Sequence, residues 1–484
     1  MRPKFQQLDQ DLADQIITEA KIVLAEVGVD IADDETKKLL ADHGAGVDDA
    51  DGRVRIADTM VEVALASAPS SFFLYDVLGK ETHHFEGQRT HFTPGSGAIN
   101  ILDSASGEIR PGVTSDLVSL AKLVSRLPRY DAQSTALVAS DVPTAISDSY
   151  RLFLGLLHCE KPVVTGAFTI DGFSVIRDLL LAVRGSADEL AARPVAMLTC
   201  CPTSPLRWTD EGSRNLMDCA RLRIPVEIIP VPLTGFMAPV TLVGTLIQHT
   251  VEVLSGVVIA QLVQPGTPLL FGGSPAIFDV RYETTPMGAI EATMLTCAAA
   301  EIGRRLGLPT QGYIALSDSK ALDAQAGLET GIGATLAAMT GIDNVSGPGM
   351  LDFENCQSLE KLVVDHEICL MTDRLRAGIE PREDFPSRAL FEELLAEKHL
   401  LIADHTRRYL RSELTFPGPT VDRTSRARWL EEGAATLGEN ASREVERVIA
   451  EFTPSRLGDD EKRQLEEVMT AAARAAGMDT LPER

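Results

Sequence analysis

The chain has 484 residues, 44% hydrophobic and 24% charged, and a net charge of −25. That length provides for two or three compact units, or for one large barrel with extensions. The acidic balance argues against nucleic acid and anionic membranes, which select basic patches, and it suits a cationic small molecule or a basic protein face.

The amino terminus, MRPKFQQLDQDLADQ, lacks the apolar core of a signal peptide, so the cytoplasm is the expected compartment. The seven cysteines are odd in number and form no CxxC pair, which agrees with free thiols in a reducing environment. Cys200 and Cys201 are adjacent and would bind one metal poorly, so no metal site is expected.

Residues 1 to about 70 read as helical. Leu12, Ile16, Ala20, Val23, Leu24 and Val27 recur at helical spacing, and residues 36–42 and 58–68 repeat the pattern. Residues 71–92 alternate with period two, as a small β meander does. His83 and His84 would point to opposite faces of such a strand and make a poor chelating pair. Residues 1–90 are therefore taken as a helical entry and meander.

From residue 91 a strand–helix unit repeats. Strand candidates span residues 91–99, 132–139, 162–167, 194–200, 225–231, 268–272, 310–316 and 344–346. Helix-like runs at 115–127, 145–158, 173–184, 209–222, 241–263, 287–306 and 322–339 separate them, and 358–375 closes the series. Most strands begin at or just after a proline, which stops the preceding helix. Eight such units predict an α/β fold, a (β/α)8 TIM barrel over residues 91–378. A doubly wound open sheet is the competitor; the count of eight and the lack of a dinucleotide fingerprint favour the barrel. The uncharged stretch 253–278 is broken by Gln, Pro, Gly and Ser, and is not read as a membrane span. Residues 379–484 read as a helical carboxy-terminal extension with a Pro/Gly linker at 414–423, either packed on the barrel or docking a partner.

Loops after the strands of a barrel converge on one face. Here they bring Ser140 and Asp141, Phe168 and Asp171, Trp208, Phe236, Asp279 and Arg281, Asp318-Ser319-Lys320, and Asp352-Phe353. An aromatic wall with nearby carboxylates is one way to hold a quaternary ammonium ion; the ordinary reading is that the phenylalanines are barrel-mouth core. No nucleophile elbow, Walker loop, HExxH helix or paired thiolate site occurs in the chain.

Several long segments carry a resemblance: TPGSGAINILDSASGEIRPGVTSDLVSLAKLVSRLP, ALVASDVP, APVTLVGTLIQHTVEVLSGVVIAQLVQPGTPLLFGG, SDSKALDAQAGLE, GPGMLDFENCQSLEKLVVDHEI and RSELTFPGPTVDR. Together they resemble the trimethylamine:corrinoid methyltransferase family. The sequence holds only standard amino acids, so it resembles the branch without pyrrolysine, whose characterised members demethylate quaternary amines such as glycine betaine. The resemblance implies a (β/α)8 barrel and a methyltransferase. It also implies a small quaternary amine substrate, and cobalamin carried by a separate corrinoid protein whose Co(I) is the nucleophile.

A quaternary nitrogen has no lone pair and leaves as a neutral amine, so the site needs a held cation and a docked nucleophile. On this reading Asp318 and Asp352, after the last two strands, are catalytic candidates that face the ammonium. Trp208, Phe236 and Phe353 are cage candidates. Arg281 would clasp a substrate carboxylate, with a surface salt bridge as the ordinary alternative. His366, in DHEI, would approach the corrinoid, with a satisfied core histidine as the alternative. Two other functions stay open: methyl transfer to another acceptor such as a folate, and a quaternary ammonium binding protein without turnover. The apolar helices permit a homo-oligomer.

Overall fold

The computed structural model describes residues 3–47, 51–87, 89–104, 106–169 and 172–484; the mouth candidate Asp171 lies outside them. Parallel strands stand at all eight expected positions: β1 (His91–Thr93), β2 (Gln133–Ser134), β3 (Val163–Gly166), β4 (Ala196–Cys200), β5 (Val226–Ile228), β6 (Leu269–Phe271), β7 (Gln311–Tyr313) and β8 (Asn344–Ser346). A helix follows each: α1 (Thr114–Arg126), α2 (Ser147–His158), α3 (Gly172–Arg184), α4 (Asp210–Arg221), α5 (Leu242–Val263), α6 (Ile290–Arg305), α7 (Ala324–Thr340) and α8 (Leu359–Ala377). Strands β2 to β6 pair in sequence order as one five-stranded parallel sheet, and β7, β8 and β1 form a second, three-stranded one. Single parallel bridges, Phe92 with Tyr130 and Phe271 with Thr310, link the edges of the two sheets. β3, β5 and β6 are buried at every residue, as parallel strands covered on both faces must be.

The helix starts follow from local chemistry. Thr209, Thr241, Asp323 and Ser358 each turn a side-chain oxygen onto a first-turn N–H of α4, α5, α7 and α8. α7 stops at Gly341, whose φ of 81° is the left-handed conformation that glycine takes without strain. α5 is long and apolar enough to cross a membrane, but 72% of its apolar window is buried inside the protein. Helices Gln10–Glu26 and Asp58–Ser67, together with α4 and α6, surround it, and that central position explains its composition.

The first 70 residues hold more than helices. Strands Val29–Ile31, Gly46–Val47 and Arg53–Arg55 form a sheet whose fourth member, Arg207–Trp208, comes from the loop after β4. The expected meander is a hairpin of Phe72–Tyr75 and Glu81–Phe85. Its Phe72, Leu74 and Phe85 form one apolar cluster with Ala132, Val164, Met197 and Leu270, which lie at the amino-terminal ends of β2, β3, β4 and β6. His83 turns inward, 4.5 Å from the ring of His91, while His84 stacks on Phe73 on the other side at 4.1 Å. At the carboxy terminus, helix Leu437–Ala450 packs on α8 and α1, and helix Asp459–Ala475 on α3 and α2. Between α8 and these, helices Arg388–Glu397 and Asp404–Glu413 bury no residue.

Candidate active site

A polar layer crosses the space between the two sheets. Glu227, in the middle of β5, is fully buried and accepts from Thr199 Oγ1 of β4 at 2.7 Å and from Asn344 Nδ2 of β8 at 3.2 Å. Asn344 in turn accepts from Thr93 of β1 at 3.0 Å. Burial pushes the Glu227 carboxyl up to about 7, against the two donors that favour its ionised form. Tyr313 ends β7; burial and then the Glu227 and Glu354 carboxylates hold its hydroxyl well above the ordinary phenol value, with Arg151 pulling the other way.

Glu354 comes from the loop after β8. Asp352, Phe353 and Glu354 take φ values of 50°, 56° and 67°, three consecutive non-glycine residues in the left-handed region. Each costs about 1–2 kcal/mol, so the surroundings must hold the loop in place. They do so from both sides. A Cβ on Gly347 would lie 2.1 Å from the Ile314 carbonyl, so only glycine lets the loop pack against the end of β7. The Gly349 N–H donates to Asp365 Oδ2 at 2.7 Å, and that oxygen also accepts from Lys361 Nζ, which reaches Thr330 Oγ1 at 2.7 Å. The result is that Glu354 Oε1 is buried with no hydrogen-bond partner among the described residues, and burial with the nearby Asp318 pushes the group up to about 8.

Asp318, after β7, accepts from the backbone N–H groups of Met287 and Gly288, both at 2.9 Å. Burial nevertheless raises it to about 6, with Glu329 adding to the effect. Asp352 is half-buried, 3.9 Å from Lys320 Nζ, and the same ammonium lies 3.8 Å from the centre of the Phe353 ring. Asp318, Asp352 and Phe353 are thus brought together at the carboxyl ends of β7 and β8. Phe236 sits on the rim, 62% exposed and stacked on Phe278 at 4.7 Å. Arg281 is also on the rim, exposed and paired through two nitrogens with Asp279 at 2.9 and 2.6 Å, which is the salt-bridge alternative.

Two expected residues lie elsewhere. Trp208 is fully buried and donates from Nε1 to Ser255 Oγ at 2.8 Å; it is core between α5 and the amino-terminal sheet, because its loop folds back to pair with Val29–Ile31. Trp208→Phe is expected to cost about 1–3 kcal/mol of stability and to leave amine affinity unchanged, by thermal melt and calorimetry. His366 is buried near the opposite ends of the strands, where its Nε2 accepts from the Arg129 N–H at 3.3 Å and its ring meets Tyr130. Burial, Lys161 and Arg129 lower it to about 4, so it stays neutral. The elements that carry it point it away from the carboxyl face.

Sequence reasoning missed Glu227, Tyr313, Glu354 and Arg151. Glu227 did carry a signal, as the lone carboxylate in the apolar strand run Pro225-Val226-Glu227-Ile228-Ile229-Pro230.

The family model described as trimethylamine methyltransferase (MTTB) matches residues 1–478. The chain belongs to the trimethylamine methyltransferase family. It is a methyltransferase. It is similar to trimethylamine methyltransferase MttB of Desulfitobacterium hafniense, 27% identical over 90% of this chain and 87% of the relative. It is 29% identical to MttB of Methanosarcina thermophila, over 88% and 89% of the two chains. With the glycine betaine methyltransferase of Desulfitobacterium hafniense strain Y51 it shares 26% identity over 98% of both chains. Among solved structures, the monomethylamine methyltransferase MtmB of Methanosarcina barkeri matches with a TM-score of 0.50 at 10% identity, over 98% of this chain and 89% of that one, a likeness of fold alone.

Proposed function

We propose that this methyltransferase moves a methyl group from a quaternary amine, glycine betaine or a close relative, to the Co(I) cobalamin of a separate corrinoid protein. The observation that carries the reading is Glu354 Oε1, buried and without a hydrogen-bond partner among the described residues, in a carboxyl that is electrostatically coupled to Asp318 and Tyr313 at the carboxyl edge. A permanent cation without N–H groups supplies the missing charge there and asks for no directed hydrogen bond. The full-length match to a glycine betaine methyltransferase supports the same substrate class.

The acceptor's Co(I) supplies the nucleophile. The chain's own residues have the remaining tasks. Glu354, Asp318 and Glu227 hold the ammonium, the rings of Phe353 and Tyr313 wall it, and burial excludes water. The methyl carbon leaves with neither electron of its C–N bond; the pair stays on nitrogen, which departs as a neutral tertiary amine. No proton has to reach the leaving group, so the carboxylates act by charge. Phe168, Phe236, Val280 and Tyr282, all exposed on loops after β3, β5 and β6, form an apolar rim on which a corrinoid protein would dock.

The same reading joins the two sheets into one closed (β/α)8 barrel over residues 91–378, supported by the edge bridges and by the Glu227–Asn344 contact across the interior. It takes residues 1–90 and 379–484 as extensions, and the cytoplasm as the compartment. The test is to mix the chain, glycine betaine and reduced corrinoid protein and follow the corrinoid's visible spectrum. Methylation of the corrinoid with betaine is expected. Failure with glycine betaine, proline betaine, carnitine and choline alike would sink the proposal.

A further inference from the structure

We propose that Arg151 is the specificity-determining residue of this site, holding a substrate carboxylate so that trimethylammonium acids are taken in preference to choline-like cations; this rests on the quaternary amine reading above. Arg151 lies on α2 at the carboxyl end of β2 and is only 2% exposed. Its Nη1 donates to the Thr135 carbonyl at 3.0 Å and its Nη2 to Asp148 Oδ1 at 2.8 Å. Its Nε is buried and has no hydrogen-bond partner among the described residues. A buried guanidinium with an unsatisfied N–H is costly unless a ligand completes it.

The surroundings fit a ligand there. The Phe168 ring lies 5.6 Å from the guanidinium and is itself 58% exposed, so it stands between Arg151 and solvent. Asp148, through its second oxygen, also accepts from the Phe168 N–H at 2.7 Å, which ties the aromatic cover to the ion pair. The Tyr313 hydroxyl feels both Arg151 and Glu354. The site therefore offers a buried cationic donor, Arg151 Nε, and a buried carboxyl oxygen, Glu354 Oε1, neither with a hydrogen-bond partner among the described residues. The complementary ligand carries a carboxylate at one end and a fixed positive charge at the other. Choline shares the head group but brings a hydroxyl, which leaves the Arg151 Nε–H without an anion. Loss of one charge-assisted hydrogen bond corresponds to about 10- to 100-fold in affinity.

The experiment measures affinity of the full chain for glycine betaine and for choline, by calorimetry or thermal shift. Wild type is expected to prefer glycine betaine by at least about 10-fold. Arg151→Met should bring glycine betaine down to the choline level and leave choline unchanged. Because that change strands Asp148, the paired variant Arg151→Met with Asp148→Asn is measured beside it, with a thermal melt to show that each is folded. A structural role would lower both ligands in proportion and leave the ratio intact, and that result overturns the proposal. So does a wild type that binds choline as tightly as betaine, or that binds no betaine, and this comparison needs no variant to fold. The two readings fail separately. A betaine preference without corrinoid methylation leaves the Arg151 assignment standing and removes the activity. Methylation from choline as readily as from betaine does the reverse.

Discussion

Replacing Glu354 by glutamine is expected to weaken quaternary ammonium binding by about 100-fold while making the ligand-free protein more stable above pH 8. Both effects come from one cause. The carboxyl is held near 8, chiefly by burial and then by Asp318. In the unfolded chain it titrates near 4.3. The native state therefore binds this proton more tightly, so the stability it contributes is fully present below the unfolded value and is lost as pH rises through about 8. The loss is on the order of 3–5 kcal/mol between pH 4 and pH 9. Glutamine has no proton to lose and escapes it.

A bound ammonium favours the ionised carboxylate instead. Amine affinity should therefore climb through pH 6 to 8, where Asp318, Glu227 and Glu354 titrate at about 6, 7 and 8, and binding should release protons. Calorimetric titrations in buffers of different ionisation heat read that release directly, and melts across pH read the stability. An affinity that stays flat from pH 6 to 9, or a glutamine variant that binds as wild type does, would refute the assignment.

The second large effect should come from a residue that touches no substrate. Lys361 and Asp365 form an ion pair whose side chains are 0% and 1% exposed. Asp365→Asn removes one charge and leaves a buried ammonium behind, at a cost of about 3–5 kcal/mol. It also weakens the hold on the Gly349 N–H, and with it the left-handed run that presents Glu354. Activity should fall further than stability explains. A paired variant, Lys361→Met with Asp365→Leu, should recover much of the melting temperature without recovering turnover. A single variant within about 1 kcal/mol of wild type would show that the pair is not the anchor.

The strand–helix alternation was legible because most of the parallel strands are short runs opened by a proline, and each is followed by a segment of helical length. Those signals are local. What was lost depended on pairing over long distances. The loop carrying Trp208 gave no sign that it would return to Val29–Ile31, and an indole in a mouth loop and an indole in a core strand read alike in the chain. His366 stood out only as the middle of a polar triplet on the closing helix, which does not say which end of the strands it reaches. Asp318 and Asp352 could be placed at the carboxyl edge because they follow strands directly. Glu354 was missed because its inward turn depends on three left-handed residues, none of them glycine. Arg151 was hidden in the same way, as an ordinary helical arginine until Asp148 and Phe168 close around it.

The hairpin of Phe72, Leu74 and Phe85, wedged under β2, β3, β4 and β6, has a kinetic meaning. It covers the amino-terminal ends of those four strands, so in the closed barrel proposed above the carboxyl face is at once doorway and exit. On the function proposed above, a corrinoid protein seated on that doorway shuts it. The amine must then enter first, and the demethylated product must wait behind the docked protein until it lifts away. Turnover becomes a compulsory queue: product release is paced by undocking, and a large excess of the unmethylated acceptor slows the enzyme by closing the door before the amine has come in.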